Sequence, residues 1–144
     1  MVSNRGGGVM LPEWIIKRNE VESTKKELGG TDLSDLKLNE AKLNDADLKD
    51  ADLSAAYLIR ADLKNANLAG ADLTQTILSE ADLSGADFKD AELTDTYLCG
   101  SNLKDALNLT CDQLGLAILD RETVLPEYIK LDWITDTLFD CEEC

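Results

Sequence analysis

Ala51-Asp52-Leu53-Ser54-Ala55 runs directly into Ala56-Tyr57-Leu58-Ile59-Arg60, Ala61-Asp62-Leu63-Lys64-Asn65 and Ala66-Asn67-Leu68-Ala69-Gly70. Working outward from Leu53, Leu or Phe recurs at every fifth position from Leu33 through Leu103, fifteen consecutive matches. Two residues before each stands a small side chain: Ala at ten positions, Thr or Ser at four, with Leu36 the exception. A period of five fits neither the helical 3.6 nor the strand period of 2, so neither element keeps all these positions on one side. The chain must turn every five residues. If the large apolar residue and the small one before it both point inward, each unit is one short extended side, and four sides close a coil. On this reading the small residue sits at the crowded corner.

Units such as Ala51-Asp52-Leu53-Ser54-Ala55, Ala61-Asp62-Leu63, Ala71-Asp72-Leu73 and Ala81-Asp82-Leu83 resemble those of pentapeptide-repeat proteins. The resemblance covers residues 31–105 and implies an all-β solenoid, a right-handed quadrilateral β-helix of about four coils with twenty residues per coil. Coils spaced by about 4.8 Å make a rod on the order of 20 Å long. The organisation expected is an N-terminal segment and cap over residues 1–30, the β-helix over 31–105, and a C-terminal α-helical cap and tail over 106–144.

Solenoid ends expose unpaired backbone and apolar side chains and need covering. Before the repeats, Pro12-Glu13-Trp14-Ile15-Ile16 supplies apolar bulk, and Asn19 to Leu28 reads as a polar helical stretch ending at Gly29-Gly30. After Leu103 the five-residue register fails at Asn108. Thr110 with Gln113 forms a capping box, and Leu109, Leu114, Leu116, Ile118 and Leu119 are expected over the last coil, with Leu125-Pro126 ending the segment. This pattern resembles the C-terminal cap of the same family. Beyond it, the apolar residues from Tyr128 to Phe139 need a surface to bury against.

The 144 residues suit one domain, with 44% apolar and 30% charged residues and a net charge of −15. The charge is uneven: +1 over residues 1–30, −9 over 31–105 and −7 over 106–144. Phosphate backbones and anionic membranes require Lys/Arg footprints, so direct nucleic-acid binding is not expected. A basic partner, or mimicry of nucleic acid, agrees with this sign; a charged surface that keeps a repeat protein soluble is the plainer reading. No apolar run reaches membrane-spanning length and the first ten residues lack a signal-peptide core, so no membrane insertion and no export are expected from the sequence as it stands.

Side chains twenty residues apart stack into outward columns. On the face centred on Leu38, Leu58, Leu78 and Leu98, one column reads Lys37, Tyr57, Ile77, Tyr97 and the next Asn39, Ile59, Ser79, Cys99. Tyr57, Ile59, Ile77 and Tyr97 form an apolar strip on a polar rod, a surface for a partner or for the chain's own tail folded back over it; fold-back is the expectation. A second column stacks Asp32, Asp52, Asp72 and Glu92. Mutual repulsion is expected to raise some of their pKa values. Such a ladder offers a place for a cation or a basic partner, or accepts hydrogen bonds at the corners; the last is the expectation.

Cys99, Cys111, Cys141 and Cys144 lie in the last third, where two bonds can pair in three ways. Bonds from Cys99 and Cys111 to the Cys141/Cys144 pair would pin the tail to the Tyr57–Tyr97 face and place the protein in an oxidising compartment. A Cys141-Glu142-Glu143-Cys144 redox or zinc site lacks the flanking pattern such sites need. The chain has no His, which removes the commonest general base and metal ligand. Gly6-Gly7-Gly8 lacks the Lys-Ser/Thr sequel of a phosphate loop. No cofactor and no catalysis are expected.

The reading is a non-enzymatic protein-interaction module whose partner the residues do not name. The family resemblance brings two alternatives: a DNA-mimicking, gyrase-binding topoisomerase protector, whose short rod would need a C-terminally mediated dimer where a monomer otherwise suffices, or a lumenal or periplasmic factor of a photosynthetic bacterium. The expected location is cytoplasmic for a complete chain, and thylakoid lumen or periplasm if the cysteines are disulfide-bonded.

Overall fold

The computed structural model describes residues 10–144; residues 1–9 of the expected N-terminal segment, with Gly6-Gly7-Gly8, lie outside the described residues. Each pentapeptide makes one bridge and one turn. Around Leu53, Asp52 bridges in parallel to Asp32 on one side and Asp72 on the other, each twenty residues away. The Ala56 N–H donates to the Leu53 carbonyl at 3.0 Å and closes a four-residue turn. Its third residue, Ala55, has φ 57°, the mark of a type II turn. The same position in all fifteen units, from Asp35 to Asp105, has φ between 55 and 70°. Four turns per twenty-residue repeat stack the chain into coils.

This placement corrects the expected corner. Left-handed backbone costs an ordinary L-residue roughly 1–2 kcal/mol, and Gly, Asn and Asp tolerate it best. Ten of the fifteen third-turn positions are Asp, Asn or Gly. The corner therefore sits two residues after each central Leu, while the small residue begins the next side and is buried. From Leu38 to Leu103 every central Leu or Phe is fully buried, with the Ala column beside it. Full burial of each Leu contributes roughly 1.5–3 kcal/mol. Where Thr replaces Ala, its hydroxyl is satisfied internally: Thr76 donates to the Leu53 carbonyl and Thr96 to the Leu73 carbonyl, both at 2.7 Å.

The N-terminal helix α1 spans Glu13–Ser23 and starts six residues before the expected Asn19. Pro12, at its N-cap, supplies the carbonyl that accepts from Ile15 N–H at 3.1 Å, so the apolar Trp14-Ile15-Ile16 segment belongs to the helix. A short 3₁₀ turn at Lys25–Glu27 follows. The segment completes the first coil: Lys25 carbonyl accepts from Asp47 N–H at 2.8 Å, and the Glu22 carboxylate accepts from Lys42 N–H at 2.6 Å.

At the other end the ladder outlasts the pentapeptide register. Tyr97 bridges to Ile118 and Asn102 to Val124, at separations one and two residues longer than twenty. The first extra residue is taken up by helix α2, Cys111–Leu116, with the Thr110/Gln113 capping box in place, and the second by the turn between Ile118 and Val124. Gln113 Nε2 also donates to the Phe88 and Ala91 carbonyls at 2.8 and 3.0 Å, tying α2 to the last coil. Leu109, Leu114 and Leu119 are buried there, but Leu116 and Ile118 are exposed. Ile118 occupies an outward ladder position, so it cannot cover the coil. The tail forms a hairpin of strands β1, Ile129–Trp133, and β2, Phe139–Glu143, paired antiparallel. Trp133 and Phe139 meet edge to face at 5.2 Å, and Ile129 is buried. Among the described residues no helix is long and apolar enough to cross a membrane.

Candidate functional site

The parallel bridges Lys37–Tyr57, Tyr57–Ile77, Ile77–Tyr97 and Tyr97–Ile118 stack one outward column along the rod. Tyr57 and Tyr97 are 41% and 42% exposed, and Ile59 and Ile77 are half-buried. The tail does not cover them. The β1–β2 hairpin packs on α2, held by the Cys111–Cys141 bond and by the Cys111 N–H donating to the Glu143 carboxylate at 2.8 Å, so the expected fold-back over the strip is not the arrangement adopted. Two residues join the strip that spacing alone did not find. Ile118 escaped because α2 shifts its ladder partner from twenty to twenty-one residues. Trp14, 40% exposed on α1, lies at the opposite end, where it, Lys37, Asn39 and Tyr57 line a shallow cavity of about 440 Å³. Arg18 braces this end: its guanidinium lies 5.6 Å from the Trp14 ring centre and donates to the Asn39 carbonyl at 3.2 Å.

The corners flanking the column carry Asp35, Ala55, Gln75 and Asp95 on one side and Glu40, Arg60, Glu80 and Gly100 on the other. Arg60 lies between its acidic neighbours, 3.2 Å from Glu40 and 3.6 Å from Glu80. The pairs are exposed and add little to stability; their effect is to offset the Arg60 charge beside the strip.

In the column Asp32, Asp52, Asp72 and Glu92, each carboxylate accepts from the backbone N–H two residues on, at 2.9 to 3.2 Å. The expected rise in pKa is reversed at Asp32: the Ser34 hydroxyl and amide donate to its carboxylate and hold it below the ordinary value. The same Asx turn recurs at Asp47, Asp62, Asp82 and Asp87. All sixteen acidic residues between 31 and 105 occupy either this pre-central position or the left-handed corner. Among the described residues no group of three or more His, Cys, Asp or Glu is arranged to hold a metal ion.

Of the four cysteines, Cys111 and Cys141 are bonded, and Cys99 and Cys144 are free thiols. The expected second bond through Cys99 is absent because the hairpin stays beside α2. Cys99 instead faces the Ile118 carbonyl at 3.8 Å. Burial, and then the charge of Asp120, push its thiol pKa up.

The sequence profile of pentapeptide repeats matches in eight copies over residues 31–68 and 66–105. No curated protein matches this sequence. Among solved structures, a pentapeptide repeat protein from the Arabidopsis thaliana thylakoid lumen is 24% identical over 92% of this chain and 79% of the other, with a TM-score of 0.37. HetL, a pentapeptide repeat protein involved in heterocyst differentiation regulation in the cyanobacterium Nostoc, is 27% identical over 65% of this chain and 59% of its own, TM-score 0.36. QnrB1, a plasmid-mediated fluoroquinolone resistance protein, is 16% identical over 62% and 60%, TM-score 0.29. With the profile spanning just over half of the sequence and its units coinciding with the bridge-and-turn repeat, the chain belongs to the pentapeptide-repeat family.

Proposed function

We propose that this chain is a right-handed quadrilateral β-helix, closed by α1 at one end and by α2 with its hairpin at the other, that works as a non-enzymatic protein-interaction module. Its docking face is the Tyr57–Ile77–Tyr97 column. The observation that carries the reading is the exposure of both tyrosines, 41% and 42%, on a face whose backbone is already fully paired along the rod. Aromatic side chains on a rigid scaffold offer a partner large contact area with little ordering cost. Among the described residues the interior of the coils is filled by Leu and Ala, which leaves no room there for a substrate.

A photo-crosslinking residue at position 77 tests this in cells that make the protein, with the same residue at position 67 as the comparison. The expected result is a discrete protein adduct from position 77 and none from 67. Equal labelling at both positions, or none at either, refutes the reading.

A further inference from the structure

The apolar column has the spacing of a helical partner. Tyr57, Ile77, Tyr97 and Ile118 occupy four successive coils in one register. Coils lie about 4.8 Å apart, close to the pitch of an α-helix, about 5.4 Å. A helix laid along the rod therefore presents one apolar residue, at i, i+4, i+7 and i+11, to each coil; about ten residues span the three intervals. The cavity between Trp14 and Tyr57 lies where such a spine ends, a place for a bulky anchor.

Charge selects the flanks of that helix. Asp35 and Asp95 border the column on one side, Glu40 and Glu80 on the other, and Asp120 lies beside its far end. Of the cations at the column, Arg60 is held between Glu40 and Glu80 and leaves that side with a net negative charge, Arg18 is engaged by the Trp14 ring and the Asn39 carbonyl, and Lys37 stands at the cavity. We propose that the column binds an amphipathic α-helix of another protein, with an apolar spine seated on Tyr57, Ile77, Tyr97 and Ile118 and Lys or Arg on both flanks. This rests on the interaction-module reading and names the chemistry of its partner. Facing basic flanks speed encounter and fix register more than they add affinity, so both the spine and the charge are required.

Three synthetic helical peptides of about 14 residues test it: one with a Leu spine and Lys flanks, one with the same spine and Glu flanks, and one with the first composition scrambled so that the spine is lost. Each is titrated into the isotopically labelled protein and followed by amide chemical shifts. The expected result is binding of the Lys-flanked peptide alone, with shifts confined to Trp14, the column and its bordering corners. Tyr57→Ser and Tyr97→Ser each weaken it by at least about tenfold, and Asn67→Ala on another face leaves it unchanged. Equal binding of the scrambled or Glu-flanked peptide overturns the proposal, as do shifts spread over the acidic faces. A wild-type dimer in light scattering that Tyr97→Ser dissolves also overturns it, because a second copy then occupies the column. An empty titration overturns the helix while crosslinking at position 77 still upholds the module. Loss of the crosslink with an intact titration overturns the underlying reading instead.

Discussion

Reducing the Cys111–Cys141 bond should loosen the C-terminal hairpin and leave the coils intact. The bond joins residues 30 apart in sequence. Loop-closure entropy for that length gives about 3.6 kcal/mol at 25 °C in the chain-entropy account. In a solenoid each layer contacts mainly its neighbours, so this stabilisation belongs to docking of β1 and β2 on α2. Without the bond, docking still has the buried Ile129 and the half-buried Tyr128, whose hydroxyl donates to the Ala106 carbonyl at 2.6 Å and accepts from Leu109 N–H at 3.1 Å. The hairpin should therefore open more often without being lost. Hydrogen exchange of the oxidised protein against Cys111→Ser/Cys141→Ser measures this. Amide protection across Ile129–Glu143 is expected to fall a few hundredfold, the equivalent of about 3.6 kcal/mol, while amides from Leu43 to Leu83 keep theirs. A change below about threefold in the hairpin would show that the bond constrains nothing there. An equal loss throughout would show that the end is not a separable unit.

Gly70→Ala should destabilise by roughly 1–2 kcal/mol from its left-handed backbone alone, and further because the new methyl group would lie 2.1 Å from Asp50 Oδ1. Adding Asp50→Ala should recover the second part only, which a double-mutant cycle in denaturant reads out, and full additivity would refute the contact. Leu63→Ala, at a fully buried position, should cost about 2–5 kcal/mol and lower the denaturation midpoint; a cost under about 1 kcal/mol would mean that the coil collapses onto the cavity. The nucleophile at Cys99 is the thiolate, and its raised pKa leaves little thiolate at neutral pH. Its alkylation, followed by mass spectrometry, should accelerate as pH rises into the alkaline range. Asp120→Asn, removing a charge that opposes ionisation, should raise the rate at fixed pH; a slower variant would refute that assignment.

The repeat was legible because one rule, Leu at every fifth position, governs the whole core. The corner was less so: the small inward residue is the more regular pattern, and the Asp, Asn and Gly that recur two positions after most of the Leu residues, the signal of left-handed backbone, are interrupted by Glu, Ala, Arg and Gln. The capping box at Thr110 and Gln113 could be read because it is local. The path of the tail could not, since the alternation from Ile129 to Trp133 is satisfied equally by a strip on the rod or by a hairpin partner, and only the competition with Phe139–Glu143 decides. Ile118 was lost from the apolar column by a single residue of inserted chain. Trp14 was lost because its partners are brought to it by tertiary packing alone.

The two surface features that sequence reading singled out have different standing once the backbone is known. Fourteen of the sixteen acidic side chains of the repeats sit where the coil itself favours them, either accepting from the amide two residues on or placing Asp at a left-handed corner, while Glu40 and Glu80 occupy corners and pair with Arg60. Most of the charge of the rod thus follows from making the turns with Asp, and resemblance to a nucleic acid is not needed to account for it. Nothing in the turn or the ladder asks for Tyr57, Ile77 or Tyr97: nine of the eleven equivalent positions on the other faces carry Asp or Asn, which serve the turns better. Ile77 and Tyr97 give up an Asx-turn hydrogen bond, a net loss of roughly 1 kcal/mol each, whereas at Tyr57 the Asn39 side-chain oxygen accepts from Ile59 N–H instead, at 3.0 Å; all three present apolar surface outward. A column apolar through three consecutive coils against that local preference is surface that the turns and the ladder do not explain, and it is on that ground that the proposed docking face is placed there.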